Sequence, residues 1–177
     1  MTGNKYQTEE PKGVDFAIFK LQNFLFNALN WENVELFGRV DKVPNGEEKT
    51  ALKPYAYYSG TDYNPVVRDD KFAANIFFVL ADRANTQQGI SFTVEAKIVF
   101  MVDLDRLYPN AAGRADHLAQ MDVVKALKGQ TNFLVTSLGN GLRECLGEFD
   151  TEDIKFTNMA PNHIFCITGN LSYQISC

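Results

Sequence analysis

Histidine is scarce in this chain: 177 residues carry only two, His117 and His163. They are far apart in sequence. They could meet Asp or Glu ligands in a metal site, but no ligand spacing supports one, so cap or surface roles are expected. Cysteine comes to three, Cys145, Cys166 and Cys177, with no CxxC or other metal spacing. An odd count without an export signal points to reduced core or terminal thiols. The start, MTGNKYQTEEPKG, has neither a basic region nor an apolar run, which argues against a signal peptide. "NLS" at Asn170 would matter as a glycosylation pattern only on a secreted chain. No apolar run approaches the ~18 residues of a membrane span, so no membrane contact is expected. Basic clusters are missing as well. The net charge of −5 and pI near 5 speak against a protein that grips nucleic acid.

The recurrent catalytic motifs are also missing. "GNG" at 139–141 is neither a dinucleotide fingerprint nor a phosphate loop. There is no GxSxG elbow, and no cysteine lies in a nucleophile setting. "DLDR" at 103–106 is the one carboxylate pair worth weighing. Alternate strand positions put Asp103 and Asp105 on the same face, where a divalent cation or glycosyl-transfer chemistry could be built. Solvated acids at a strand end explain the pair equally well. No cofactor is implied, and a binding or structural protein is the better expectation than an enzyme.

What is present is a full core's worth of apolar residues, 45% of the chain, with 12% aromatic. That composition and length favour one domain that needs no staples. Residues 1–13 are polar and read as a flexible arm, or one that orders only against a partner. Residues 14–31 have helical period, with Val14, Ile18, Leu21, Leu25, Ala28 and Leu29 in one stripe. Phe16, Phe19, Phe24 and Phe26 widen that surface, so the helix is expected to be covered on more than one side, by its own loops or by a neighbour. Residues 33–41 look like a strand with Val34, Leu36 and Val40 inward. Residues 42–74 read as a long irregular loop with a turn at Pro44-Asn45-Gly46. It holds Tyr55, Tyr57, Tyr58 and Tyr63, which suit a contact surface or simply pin the loop down.

The strand signal is strongest in 75–82 and in ISFTVEAKIVFMVDL, 90–104, paired as a hairpin across a turn at Ala84–Gly89. Fifteen extended residues span about 50 Å, against a diameter of about 40 Å for a compact domain of this size. Ile90–Lys97, with one wet face, should project from the body. Ile98–Val102, apolar on both faces, should be covered on both. The 114–148 helices would lie on one side, and the N-terminal helix or a neighbouring subunit on the other. Helices are expected at about 114–128, with Leu118, Met121, Val124 and Leu127 on one face, and at 131–148. In the second, Leu134, Leu138, Leu142, Cys145 and Leu146 face inward, and Gly139 and Gly141 are tolerated for close approach or a kink. Short strand 153–156 and a long strand from His163, with a bulge at Gly169, end the chain. The fold class is therefore α+β: a mainly antiparallel sheet with a long hairpin, an N-terminal helix and two later helices packed on the sheet.

This order, from Asp15 to Cys177, resembles the tail-terminator and neck-ring proteins of tailed bacteriophages. The resemblance is one of organisation and carries no catalytic residues. It implies a virion protein made in the host cytoplasm, forming a homo-oligomeric ring of about six or twelve copies closed by heterologous contacts. It would dock on neck, connector or tail proteins, with DNA as passing cargo that an acidic lining repels. Tyr55, Tyr57, Tyr58, Tyr63, Phe19, Phe26, Val99 and Met101 are the candidate interface residues. A small soluble enzyme or ligand-binding module with a site near Asp103, Asp105 and His163 is the alternative. A non-viral oligomeric adaptor is the third.

Overall fold

The computed structural model describes residues 1–45, 48–59, 62–66, 69–87, 89–111, 114–151 and 159–175, without the side chains of residues 44–45, 48–51, 58–59, 62 and 87. The strand expected at 153–156, Cys177 and the side chain of Tyr58 lie outside the described residues. Among the described residues the fold is α+β, with a mixed, mostly antiparallel sheet of eight strands and four helices. In chain order these are β1 (Gly3–Lys5), α1 (Val14–Ala28), β2 (Val34–Asn45), β3 (Glu48–Ser59), β4 (Asp62–Pro65), β5 (Ala74–Gln87), β6 (Ser91–Asp103), α2 (Leu104–Leu107), α3 (Ala115–Leu127), β7 (Phe133–Asn140), α4 (Leu142–Leu146) and β8 (Asn162–Gln174). The sheet runs β4-β3-β2-β5-β6-β8-β7, with β1 laid along β2. Among the described residues only β1–β2 and β2–β5 are parallel pairs.

The long hairpin forms as the alternation of residues 90–104 predicts, and β8 adds a third long strand to it. β6 is paired on both sides for most of its length, from Ser91↔Gln87 to Val102↔Ala74 with β5 and from Ser91↔Gln174 to Asp103↔Asn162 with β8. The turn is tighter than expected, because β5 stays extended to Gln87. Strand parity then divides the core into two layers. Ile98, Phe100 and Val102 face Ile18, Leu21 and Leu25 of α1 and Ala119, Val123 and Leu127 of α3. Phe100 stacks on Phe165 at 4.8 Å and meets the Trp31 edge at 6.1 Å. Val99 and Met101 face the other way, into a layer with Phe37, Ala56, Phe77, Cys145, Leu146 and Phe149. Both faces of Ile98–Val102 are thus covered within one chain. The helices, however, are not distributed as expected: α1 and α3 share one face, and α4 with Phe149 covers the other.

Four further expectations are corrected. The N-terminal arm is ordered against its own body, because even a short polar run carries backbone groups that can pair. β1 extends the edge of β2, Tyr6 stacks on Phe37 at 4.9 Å, and the Met1 amine donates to the Phe26 and Leu29 carbonyls at the end of α1. Gly3 is required there: at φ 134°, a Cβ would sit 2.0 Å from the Val34 carbonyl oxygen.

The 42–74 loop is largely sheet. β2 continues to Asn45, and β3 and β4 follow as an antiparallel extension. Strands at the outer end of a sheet bury few side chains, so the period-2 signal was weak, and prolines 44, 54 and 65 mimicked breakers. Of the expected turn at Pro44-Asn45-Gly46, Pro44 and Asn45 end β2, and Gly46 lies outside the described residues.

The 131–148 helix is instead strand β7, a turn at Gly141 (φ 87°) and short α4. The i, i+4 spacing of Leu134, Leu138 and Leu142 was coincidental. Gly139 is held by packing, since a Cβ there would lie 2.4 Å from Glu144 Cγ and 2.9 Å from Cys166 Sγ. Gly169 is not bulged. Its Cβ space is filled by the Leu134 carbonyl and the Phe133 ring, and the register shift lies on β7 between Val135 and Ser137.

Candidate functional site

The alternative site comes together in part. Asp105 and His163 line one cavity of about 500 Å³, with Leu104, Arg114, Asp116 and Pro161. Asp103 does not join them. Its carboxylate accepts from the Arg106 backbone N–H at 3.2 Å and so caps α2, the ordinary use of an acid before a helix. His163 is fixed from the side of α3: Gln120 Nε2 donates to Asn140 Oδ1 at 2.7 Å and approaches His163 Nε2 at 3.1 Å. An amide nitrogen only donates, so the ring nitrogen accepts and the proton sits on Nδ1. Burial lowers the His163 pKa, which agrees with a neutral ring. Asp116 is engaged too, since two hydrogen bonds from Arg114 hold its carboxyl down at about 2. The cavity therefore offers a half-buried neutral imidazole and an exposed Asp105 beside an already matched ion pair. No three His, Cys, Asp or Glu side chains are grouped to hold a metal among the described residues. His117 is exposed at the start of α3.

The candidate interface residues divide. Val99 and Met101 are wholly buried in the core and are excluded as contacts; the continuous apolar run at 98–102 marks a strand covered on both faces by its own chain. Tyr57 is buried and meets Tyr63 edge-on at 5.9 Å, which leaves Tyr63 as the exposed member of that pair. Tyr55 is half-buried. Phe19 and Phe26 are half-buried as well, Phe19 stacked on Phe16 and Phe26 lying under the Lys5 ammonium. These aromatics pin strands and arm to the body more than they present a surface.

Sequence reading missed the larger uncovered surface. α3 is rolled from the expected orientation: Ala119, Gln120, Val123 and Leu127 face the sheet, while Leu118 (42%), Met121 (51%) and Val124 (38%) are exposed. Gln120 sets that roll through its bonds to Asn140 and His163, and Ala119 lets the helix approach closely. The stripe 119-120-123-127 fits a helical face as well as 118-121-124-127 does. A glutamine in it made the wrong stripe look better. Leu134 (69%) and Leu138 are exposed on β7.

Among the described residues, β7 and the distal end of β5 each leave a stretch of strand edge without a ladder partner. β7 ends the sheet order, with β8 as its only ladder partner among the described residues. β5 pairs with β2 only as far as Phe78↔Arg39; beyond it the two strands part, and Ala81–Thr86 are exposed. The fork between them is a cleft of about 380 Å³ lined by Arg39, Lys42, Leu80, Asp82, Val94 and Tyr173 among others. Lys42 spans it, pairing with Asp82 at 2.8 Å and Glu148 at 2.7 Å. No helix among the described residues is long and apolar enough to cross a membrane. A scan against protein-family models and a search of curated proteins both return no match for this chain.

Proposed function

We propose that this chain is a structural subunit that assembles with copies of itself into a ring of about six or twelve. Its place would be the head–tail junction or tail end of a tailed bacteriophage, where it joins connector and tail proteins. The observation that carries the reading is an uncovered surface of one kind. Among the described residues, stretches of edge on β7 and β5 have no ladder partner, and the Leu118–Met121–Val124 strip of α3 is exposed. Apolar side chains grouped on one helix face are how contact surfaces differ from scattered exposed residues. The phage setting rests on the parts of the element order that the fold keeps, the N-terminal helix, the long hairpin and the long C-terminal strand, and on a net charge of −5, which suits a channel that DNA passes without sticking. Size-exclusion chromatography with light scattering and negative-stain images tests assembly. Mixing with tail-tube or connector proteins tests the setting. A monomer that neither rings nor joins such partners overturns the proposal.

One observation favours a second reading, a ligand-binding or catalytic module: Asp105 and His163 share a cavity. An Asp105→Asn, His163→Asn double variant decides it. Unchanged behaviour against a panel of small ligands and divalent cations that the wild-type protein binds removes this reading.

A further inference from the structure

We infer that the subunits join edge to edge, with β7 of one copy adding as an antiparallel strand to the open distal edge of β5 of the next. This deepens the ring reading and rests on it.

Natural sheets guard their free edges with charge, proline or very short strands, because an open edge is a template for another chain. The β4 end of this sheet is guarded in that way: four residues, with an aspartate at 62 and a proline at 65. The β7 edge and the distal β5 edge lack charge and proline, although a register shift kinks each strand, between Val135 and Ser137 and between Leu80 and Ala84. β7 reads Phe133-Leu-Val-Thr-Ser-Leu-Gly-Asn140, without a charge or a proline over eight residues. The distal end of β5, Ala84-Asn-Thr-Gln87, is likewise uncharged and without proline, although it follows Asp82 and Arg83. Among the described residues its only ladder partner is β6, through Ala84↔Val94 to Gln87↔Ser91. The fork opens on the β2 side of this segment, beyond the Lys42–Asp82 pair.

Strand direction selects which edges can meet. β5, β6, β8 and β7 are joined by three successive antiparallel pairs, so β7 runs opposite to β5. With the strands of the sheet running along the ring axis, a neighbour turned about that axis keeps its strand directions. Its β7 therefore arrives antiparallel to β5 without inversion, and antiparallel ladders need no crossover. The two edges are different surfaces, so the contact is heterologous. It leaves one of each edge free on every copy until the ring closes.

The test uses the full chain in a Cys177→Ser background, with Asn85→Cys on β5 and Leu134→Cys on β7, each alone and both together. Thermal melts first establish that each variant folds as the parent does. When the two single variants are mixed and treated with a short bis-maleimide, the 85–134 dimer should dominate over 85–85 and 134–134 products, and the double variant should ladder up to the closed ring. Amide exchange across Arg83–Gln87 and Phe133–Asn140 should slow on assembly and stay unchanged in β4. A ring by light scattering that gives only like-with-like cross-links, or none, overturns the edge pairing and leaves the ring reading standing. A monomer by light scattering, with no cross-links at any concentration, overturns both.

Discussion

Strand β6 is two structures in one. Its proximal half, Ile98–Val102, is wholly buried and sits between two core layers. Its distal half, Ser91–Lys97, alternates: Val94 and Ala96 are buried on the helix side, while Glu95 is exposed and Thr93 half-buried on the other. The difference teaches where a need for a partner is recorded. An apolar run buried on both faces seemed to call for a neighbouring subunit, yet Cys145, Leu146 and Phe149 of the same chain supply the second cover. The half that looked self-sufficient by side chains belongs to the arm whose outer strand, β5, has a backbone edge without a ladder partner among the described residues. Side-chain pattern reports which faces are dry; it does not report which edges are paired.

The largest effect that separates the halves should come from cutting one aromatic in each. Phe100→Ala removes a ring packed against Phe165 and Trp31 and should cost about 3–5 kcal/mol in denaturant unfolding. Phe92→Ala removes a half-buried ring stacked on Tyr173 at 5.5 Å and should cost about 1 kcal/mol. Equal costs would erase the distinction. At the boundary between the halves, Gly169→Ala would drive a methyl into the Leu134 carbonyl oxygen and the Phe133 ring, both at 2.6 Å. A loss of about 1–3 kcal/mol is expected, as for other overpacked sites. An unchanged melting temperature would show that β7 can move off β8.

On the helix side of the proximal half, Tyr108 accepts from Trp31 Nε1 at 2.9 Å and donates to Asp122 at 2.7 Å. Tyr108→Phe leaves the buried Trp31 donor unmatched and should cost about 1–3 kcal/mol in the same unfolding measurement. The smallest effect concerns pH. Burial holds the His163 pKa below its ordinary 6.5. The unfolded chain then binds more protons once pH falls to about 6.5 and below, so stability present above that pH is lost as pH falls through it. Denaturant midpoints measured from pH 7.5 to 5 should show this decline, and His163→Asn should flatten it. A decline of equal size in the variant assigns the effect to other groups.

Much of the frame was legible because it depends on period. The β5–β6 hairpin, the C-terminal strand, the Ile18–Leu21–Leu25 stripe of α1 and the inward Val34, Leu36 and Val40 of β2 each follow from alternation or helical spacing. The misreadings have separate causes. β4 and β7 lie at the ends of the sheet and bury few side chains, so their sequences carry little alternation; Pro54 interrupts the pattern of β3, and the leucines of β7 fell by chance at helical spacing. The roll of α3 was hidden because its inward stripe includes Gln120, whose partners Asn140 and His163 are distant in sequence. Tertiary polar contacts decide that roll, and no local spacing encodes them. The Asp103 cap is local by contrast, an i, i+3 bond from the Arg106 N–H, and was hidden because 103–106 read as a strand end and not as the start of α2.

The central claim is self-assembly, and the molar mass of the intact protein in solution tests it most directly. Light scattering at micromolar concentrations should give about six or twelve times the 19.9 kDa chain mass, independent of further dilution through the elution peak. A mass of 19.9 kDa across the whole concentration range, alone and with tail or connector proteins present, would contradict the account.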